Sequence, residues 1–164
     1  MKALVTGAAG FIGSTLTDRL LGDGADVLGI DSFVDYYPRA LKERNLAAAL
    51  ANPRFTFLES RVQDADLATI LRGRTHVFHA AAQAGVRKSW GRDFEIYTTN
   101  NIEATQVLLE ACRGQAIEKI AYSSSSSVYG DAVAMPMRED ALPQPVSPYG
   151  VTKLAAEQIG RAHV

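Results

Sequence analysis

Residues 3–13 read ALVTGAAGFIG, and this stretch decides the fold. It begins with an apolar run of strand length, and a helical pattern opens at Phe11, so a glycine-rich turn joins the two. Such a turn presents backbone N–H groups at a helix N-terminus to a phosphate. Gly7 permits the tight turn, Gly10 leaves room for a pyrophosphate, and Gly13 lets the helix pack closely on the strand. The stretch therefore predicts a dinucleotide-binding turn.

Apolar runs of strand length alternate with helical patterns along the whole chain. This alternation predicts an α/β fold, a doubly wound parallel sheet of Rossmann type with strand order 3-2-1-4-5. No internal linker is evident, so residues 1–164 are expected to form one Rossmann domain that binds a dinucleotide. Strands are predicted at 3–6, 27–30, 55–58, 77–81 and 120–123. Helices are predicted at 11–21, 39–51, 66–71, 94–112 and 149–164.

Asp31 ends the second predicted strand. A carboxylate at this position accepts hydrogen bonds from the ribose hydroxyls of adenosine and repels a 2′-phosphate. Asp31 therefore predicts NAD rather than NADP as the cofactor. The alternative is an ordinary turn with an aspartate that caps a helix.

Tyr149 and Lys153 lie four residues apart, on one face of the last predicted helix. A free tyrosine has a pKa of about 10, and an ammonium together with a nicotinamide cation favours the phenolate. Tyr149 is therefore a candidate acid/base at a carbinol oxygen. The serine run Ser123–Ser127 follows the fifth strand, at the sheet edge where ligands bind, and one hydroxyl there would hold that oxygen. A partly exposed Tyr–Lys pair and a flexible serine linker are the alternatives.

Composition excludes several other classes of function. The net charge is −1, so neither nucleic acid nor an anionic membrane is expected as a partner. No apolar run reaches the roughly 20 residues of a membrane span, and a cytoplasmic location is expected. The single cysteine, Cys112, is interpreted as a small buried hydrophobic residue, and His79 as a core histidine. With three scattered histidines, no metal site is predicted.

Several motifs carry a resemblance to a known family. They are TGAAGFIG at 6–13, HAAAQAGVRKS at 79–89, YTTNNIEAT at 97–105, SSSSSVYG at 123–130 and SPYGVTK at 147–153. With them the chain resembles the extended short-chain dehydrogenase/reductases, the NAD-dependent epimerase/dehydratase family, which act on nucleotide sugars. The stretch GIDSFVDYYPRALKERNL at 29–46 is most similar to the UDP-glucuronate 4-epimerases.

The resemblance implies a role for each matching residue. Ser125, Tyr149 and Lys153 would be catalytic, although the adjacent serines leave the choice of the catalytic serine open. The substrate, a UDP-sugar, would contact Ser125, Ser126 and Ser127. The cofactor would be NAD, bound by Gly7, Gly10, Phe11, Ile12, Gly13, Asp31, Val62, Ala80, Ala81, Ala82, Asn101, Tyr149 and Lys153.

Three departures from the family pattern matter. Ser60-Arg61 replaces a Gly-Asp pair whose aspartate accepts from the adenine amine. Because arginine cannot accept a hydrogen bond, either adenine binding is weaker or Arg61 stacks on the ring. Ala104 replaces a helix glycine. Family members are roughly twice as long, so a partial domain without the substrate domain is expected.

The implied activity is 4-epimerisation of a UDP-hexuronate or UDP-hexose through a 4-keto intermediate. Serine in the run after the fifth strand, where 4,6-dehydratases have Thr-Asp-Glu, argues against dehydration. The alternatives are a truncated NAD(H)-binding fragment without activity and a dimerising module. A homodimer would form through helices 94–112 and 149–164.

Overall fold

The computed structural model describes residues 1–131 and 135–163. Five parallel strands form one sheet in the order β3-β2-β1-β4-β5, which confirms the predicted α/β Rossmann-type fold and its strand order. Thr6 ends the central strand and pairs with Ile30 on one side and His79 on the other. The strands are β1 Lys2–Thr6, β2 Asp26–Asp31, β3 Phe55–Glu59, β4 His76–His79 and β5 Lys119–Tyr122.

In the part of the chain that the structure describes, six α-helices follow the predicted alternation. They are α1 Phe11–Gly22, α2 Arg39–Leu50, α3 Leu67–Leu71, α4 Phe94–Tyr97, α5 Ala104–Cys112 and α6 Pro148–Ala162. The prediction of one regular helix over 94–112 is wrong in its middle, because a π-helical turn, Thr98–Glu103, joins α4 to α5. Single π-turns occur mostly inside α-helices, and a hydrophobic period averaged over a long segment does not resolve them.

The fourth strand ends earlier than predicted. The apolar pattern favoured a strand to Ala81, whereas the ladder stops at His79. The Ala80 N–H still donates to the Thr6 carbonyl at 3.2 Å. The Ala81 N–H donates instead to the Thr6 hydroxyl at 3.1 Å, so a side chain replaces the next backbone partner and the chain leaves the sheet.

Side-chain caps set the starts of two helices. Ser147 accepts a hydrogen bond from the Gly150 N–H at 3.1 Å, and Pro148 occupies the first helical position, so α6 begins one residue before the prediction. Asp66 similarly accepts from the Thr69 N–H at 3.2 Å and lies outside α3 as its cap. The predicted end of the last helix at residue 164 lies outside the described residues.

The chain divides into two compact units. The first unit comprises Met1–Ala81 and Ala111–Ser123 and contains the whole sheet with α1, α2 and α3. Its core is apolar and buried, and it consists of Ala3, Val5, Ala8, Ala9, Leu20, Leu21, Ala25, Val27, Leu46 and Ala49. Cys112 is buried, as predicted, and this burial raises the pKa of its thiol to about 11.

The second unit comprises the described residues of Ala82–Glu110 and Ser124–Val164. It contains α4, the π-turn, most of α5, and α6. Tyr97, Asn101, Thr152 and Lys153 are all buried to 2% exposure or less, so polar side chains occupy its interior. Within residues 1–131 and 135–163, the helices are too short or too polar for any of them to cross a bilayer.

Candidate functional site

The glycine turn at the carboxyl end of β1 leads into an uncapped helix. Gly10 precedes α1 and provides no side chain to cap it, and the first turn of α1 carries no acidic residue. Phe11 and Ile12, which follow, are 81% and 61% exposed. The first N–H groups of a helix carry the positive end of its dipole. The start of α1 is therefore an accessible, positively polarised place for a phosphate.

Two glycines make the turn tight enough to form. Gly7 has φ +71°, and a Cβ on it would lie 2.8 Å from the Ala81 nitrogen. A Cβ on Gly13 would overlap the Gly7 carbonyl oxygen. The missing side chain at Gly13 therefore lets α1 approach the backbone that follows β1 closely.

Asp31 lies beside this turn. Its Oδ2 accepts from the Ala9 N–H at 3.1 Å and its Oδ1 accepts from the Phe33 N–H at 2.8 Å. Its side chain is 9% exposed. The alternative of a helix-capping aspartate is wrong, because α2 follows Pro38 and has no side-chain cap. The carboxylate instead connects the end of β2 to the glycine turn.

Residues of the segment after β2 complete the support of the turn. The Ala9 carbonyl accepts from Asn45 Nδ2 at 3.0 Å and from the Tyr37 hydroxyl at 3.4 Å. Burial, and secondarily the charge of Asp31, raise the pKa of Tyr37. Sequence reasoning missed Asn45, since nothing in a helical asparagine indicates which backbone group it reaches.

The end of β4 is tied to β1 through Thr6. Thr6 Oγ1 lies 2.7 Å from His79 Nδ1 and also accepts from the Ala81 N–H. His79 is 2% exposed, which confirms the prediction of a core histidine. Ala80 and Ala81 are half-buried and Ala82 is exposed. The three predicted cofactor-lining alanines thus follow a strand end that the Thr6 hydroxyl holds in place.

Arg61, which departs from the family pattern, follows β3 next to the end of β2. The preceding Ser60 N–H donates to the Asp31 carbonyl at 3.0 Å. The Arg61 side chain is 44% exposed, and its Nε lies 3.7 Å from Asp64 Oδ2. Val62 is buried. Arg61 thus forms a surface ion pair, and its effect on adenine stays a prediction.

In the second unit, Tyr149 and Lys153 differ sharply in their surroundings. Lys153 is 2% exposed, and burial lowers its pKa to about 8 against an opposing effect of Glu157. Tyr149 is half-buried, and its ring meets the Tyr97 ring edge-on with centroids 6.3 Å apart. Lys153 is thus buried and Tyr149 is only partly exposed, and their catalytic roles stay a prediction.

Three hydroxyl-bearing or amide side chains position the start of α6. The Tyr149 N–H donates to Ser89 Oγ at 3.1 Å, and Thr152 Oγ1 donates to the Tyr149 carbonyl at 2.8 Å. Asn101, in the π-turn, accepts from the Gln83 N–H at 2.7 Å and donates to Thr152 Oγ1 at 3.0 Å. The sequence had indicated Asn101 but neither Ser89 nor Thr152.

The serine run forms a turn, not a linker. Ser125 Oγ accepts from the Ser127 N–H at 3.2 Å and caps the 3₁₀ turn Ser126–Val128. Ser125 and Ser127 are half-buried, whereas Ser126 is exposed. A Cβ on Gly150 would lie 2.6 Å from the Ser127 carbonyl oxygen. The missing side chain at Gly150 thus lets the serine turn approach the start of α6.

Comparison with known proteins places these features in a family. The chain matches the model of the NAD dependent epimerase/dehydratase family over residues 3–164. It is 49% identical over 160 residues to an uncharacterized UDP-glucose epimerase of Bacillus subtilis, covering 97% of this chain and 50% of that protein. It is 41% identical to a UDP-glucose 4-epimerase of Mycolicibacterium smegmatis, covering 96% of this chain and 49% of that protein.

A solved structure shows the same similarity. The UDP-glucuronic acid 4-epimerase from Bacillus cereus, in complex with UDP-glucuronic acid and NAD, superposes with a TM-score of 0.96 at 47% identity. The similarity covers 99% of this chain and 52% of that one. The chain thus spans about half the length of the relatives it matches. The family match over residues 3–164 and the shared fold show that this chain belongs to the NAD dependent epimerase/dehydratase family.

Proposed function

We propose that this chain provides the NAD-binding and acid/base residues of a nucleotide-sugar 4-epimerase that acts on a UDP-hexuronate or UDP-hexose. The observation that carries the proposal is the position of Asp31. Its carboxylate holds the Ala9 N–H of the glycine turn at 3.1 Å, directly before the uncapped start of α1. A phosphate-binding helix end and a ribose-binding carboxylate are the two parts that a dinucleotide requires.

The residues present are suited to NAD. The N–H groups at the start of α1 would hold the pyrophosphate, and Asp31 would accept from the adenosine ribose. A Cβ added to Gly10 would meet only the Gly7 carbonyl oxygen, at 3.1 Å. The space next to Gly10 is therefore open to a ligand. When bound, NAD supplies a hydride acceptor for the sugar carbinol carbon and returns the hydride afterwards.

In the proposed reaction, Tyr149 takes the proton of the sugar 4-hydroxyl as the carbon is oxidised to a ketone. The same tyrosine returns the proton when the ketone is reduced on its other face. The Lys153 ammonium favours the tyrosinate, and a serine hydroxyl, assigned to Ser125, donates to the sugar oxygen. Because the pKa of Lys153 is about 8, this ammonium is largely present at neutral pH.

The relatives support both substrate classes. Two of the similar proteins are UDP-glucose epimerases by name, and the similar structure contains UDP-glucuronic acid. The proposal therefore covers a neutral and an acidic sugar. Incubating the protein with each UDP-sugar, and following the 4-epimer by NMR, decides between them. A Tyr149→Phe variant, which keeps the ring but lacks the proton, is expected to be inactive.

Calorimetry with NAD⁺ tests the binding part on the 164-residue chain. We expect binding to weaken by about tenfold or more in Asp31→Ala and in Gly10→Asp, through loss of a charged hydrogen-bond acceptor and through repulsion of the pyrophosphate. Asp18→Ala, which removes an exposed carboxylate from α1, is the matched control and should bind like the unaltered chain. Absence of binding at millimolar NAD⁺, or equal binding by all variants, contradicts the proposal.

Two further expectations accompany this function. Homodimerisation through residues 94–112 and 149–164 stays a prediction, which sedimentation equilibrium of the chain tests. A cytoplasmic location stays a prediction as well, and microscopy of the tagged protein in its own cells tests it.

A further inference from the structure

Lys42 is a buried lysine that the proposed reaction does not use. It lies on α2 and is 6% exposed. Its Nζ donates to the Val34 carbonyl at 2.9 Å and lies 5.2 Å from the centre of the Tyr37 ring. Lysine is rarely buried to this extent unless it is paired, because its ammonium loses hydration. A partner of opposite charge is therefore expected close to the Lys42 ammonium.

That partner is Asp31. Lys42 Nζ lies 3.7 Å from Asp31 Oδ1, and both side chains are less than a tenth exposed. At this separation and burial the attraction is much stronger than between surface charges, and it offsets part of the cost of dehydrating both groups. The backbone N–H groups of Ala9 and Phe33 hold the two carboxylate oxygens in place. The ammonium thus neutralises a carboxylate whose orientation is already set.

We propose that Lys42 is a specificity-determining residue for the cofactor: it compensates the charge of Asp31 in the unaltered chain and becomes a site for a 2′-phosphate when Asp31 is neutral. This inference rests on the proposed binding of NAD at the glycine turn. The residue at the end of the second strand meets the 2′ position of the adenosine ribose in dinucleotide-binding sheets. An anion at Asp31 repels a 2′-phosphate there, whereas the cation behind it attracts one.

The pairing of Lys42 with Asp31 predicts a result that a role of Asp31 alone does not. If Asp31 alone decided the preference, neutralising it would only remove a repulsion, and Lys42 would be irrelevant to the result. With Lys42 adjacent, Asp31→Asn also uncovers a positive charge. The gain in NADP⁺ binding should then depend on Lys42, whereas NAD⁺, which has no 2′-phosphate, should not share that dependence.

Calorimetry with NAD⁺ and NADP⁺ on Asp31→Asn and on Asp31→Asn/Lys42→Met tests this. We expect Asp31→Asn to shift the NADP⁺/NAD⁺ affinity ratio toward NADP⁺ by about tenfold or more, and Lys42→Met in that background to abolish the shift. Asp31→Asn/Lys42→Arg should retain it. Asp31→Asn/Arg44→Met, which removes an exposed charge from the same helix, is the control and should behave like Asp31→Asn.

Urea unfolding provides a second measurement that needs no ligand. Lys42→Met should lower the urea midpoint more in the unaltered chain than in Asp31→Asn, because only the former retains a buried carboxylate without its cation. Equal NADP⁺ affinities with and without Lys42, or equal midpoint shifts in both backgrounds, overturn the inference. If the unaltered chain binds no dinucleotide, the proposed function fails with it. If NAD⁺ binds but the Lys42 dependence is absent, only this inference fails.

Discussion

Asn101 donates a hydrogen bond from its side-chain amide to the Thr152 hydroxyl, with 3.0 Å between nitrogen and oxygen, and both residues are fully buried. The Thr152 hydroxyl in turn donates a hydrogen bond to the Tyr149 carbonyl. The π-turn and the first turn of α6 are therefore linked through one threonine hydroxyl. The proposed acid/base tyrosine and the lysine that follows Thr152 both depend on where this turn of α6 lies.

Replacing that hydroxyl tests the link. Thr152→Val keeps the shape of the side chain but removes one acceptor and one donor, and it leaves the buried Asn101 amide with an unsatisfied N–H. We expect the free energy of unfolding to fall by about 1–3 kcal/mol, measured by urea denaturation. Thr15→Val is the control, because the Thr15 hydroxyl also donates to a helix carbonyl but is exposed, and it should change the stability little. Equal losses in both variants contradict the link.

Replacing Gly150 by alanine is expected to lower the stability of the chain, opposite to the usual effect of alanine in a helix. Gly→Ala inside a helix normally stabilises by up to about 1 kcal/mol, but here the new Cβ would lie 2.6 Å from the Ser127 carbonyl oxygen. Gly150→Ala should therefore destabilise the chain, by about 2 kcal/mol or more, as overpacking does. Gly160→Ala in the same helix meets nothing within 4 Å and should be neutral or stabilising. Thermal unfolding of the two variants decides, and a stabilised Gly150→Ala would show that the serine turn is not close to α6.

The buried ammonium of Lys153 should make stability depend on pH. The folded pKa is about 8, below the ordinary value of 10.5, so the unfolded chain binds more protons between these two values. Stability therefore rises with pH across that window, and the burial penalty is fully present below pH 8. At pH 7 the free energy of unfolding of Lys153→Met should therefore exceed that of the unaltered chain by about 2–3 kcal/mol.

Urea unfolding at pH 7 and pH 10 measures this effect as the difference between Lys153→Met and the unaltered chain. The difference should shrink at pH 10, whereas Lys119→Met, which removes an exposed ammonium, should show no such trend. A constant difference for Lys153→Met at both pH values would mean that the lysine stays charged in the folded chain.

A comparison of Gly7 with Gly73 separates the cost of backbone strain from the cost of a steric clash. Gly7 and Gly73 have nearly the same backbone conformation, φ +71° and +72°, but only at Gly7 would a Cβ meet other atoms, 2.8 Å from the Ala81 nitrogen. Gly73→Ala should cost about 1–2 kcal/mol for the left-handed conformation alone. Gly7→Ala should cost more, about 3 kcal/mol or above, because the steric clash is added. Chemical denaturation of both variants measures the difference, and equal costs would show that the turn relaxes away from β4.

Local sequence determined most of the first unit. The strands and the glycine turn followed from apolar periodicity and glycine spacing, which depend on neighbouring residues, and the strand order followed from the doubly wound fold type that they indicate. Asp31, Tyr149 and Lys153 were indicated by their places at a strand end or at helical spacing, and Asn101 by the family resemblance; their roles stay predictions. The boundaries erred where a side chain ended an element, as the Thr6 hydroxyl does after His79.

Only the tertiary structure decided how these residues are held. The Lys42–Asp31 pair depends on how α2 returns over the end of β2, and the contact between Ser89 and the Tyr149 N–H joins residues 60 positions apart. The steric role of Gly150 likewise exists only once the serine turn lies against α6. Periodicity specifies which face of an element is buried, but not which polar atom that face meets. A difference of a few tenths of an ångström decides whether a hydrogen bond or an ion pair forms and whether a Cβ fits. Such differences are set by the packing of the folded chain.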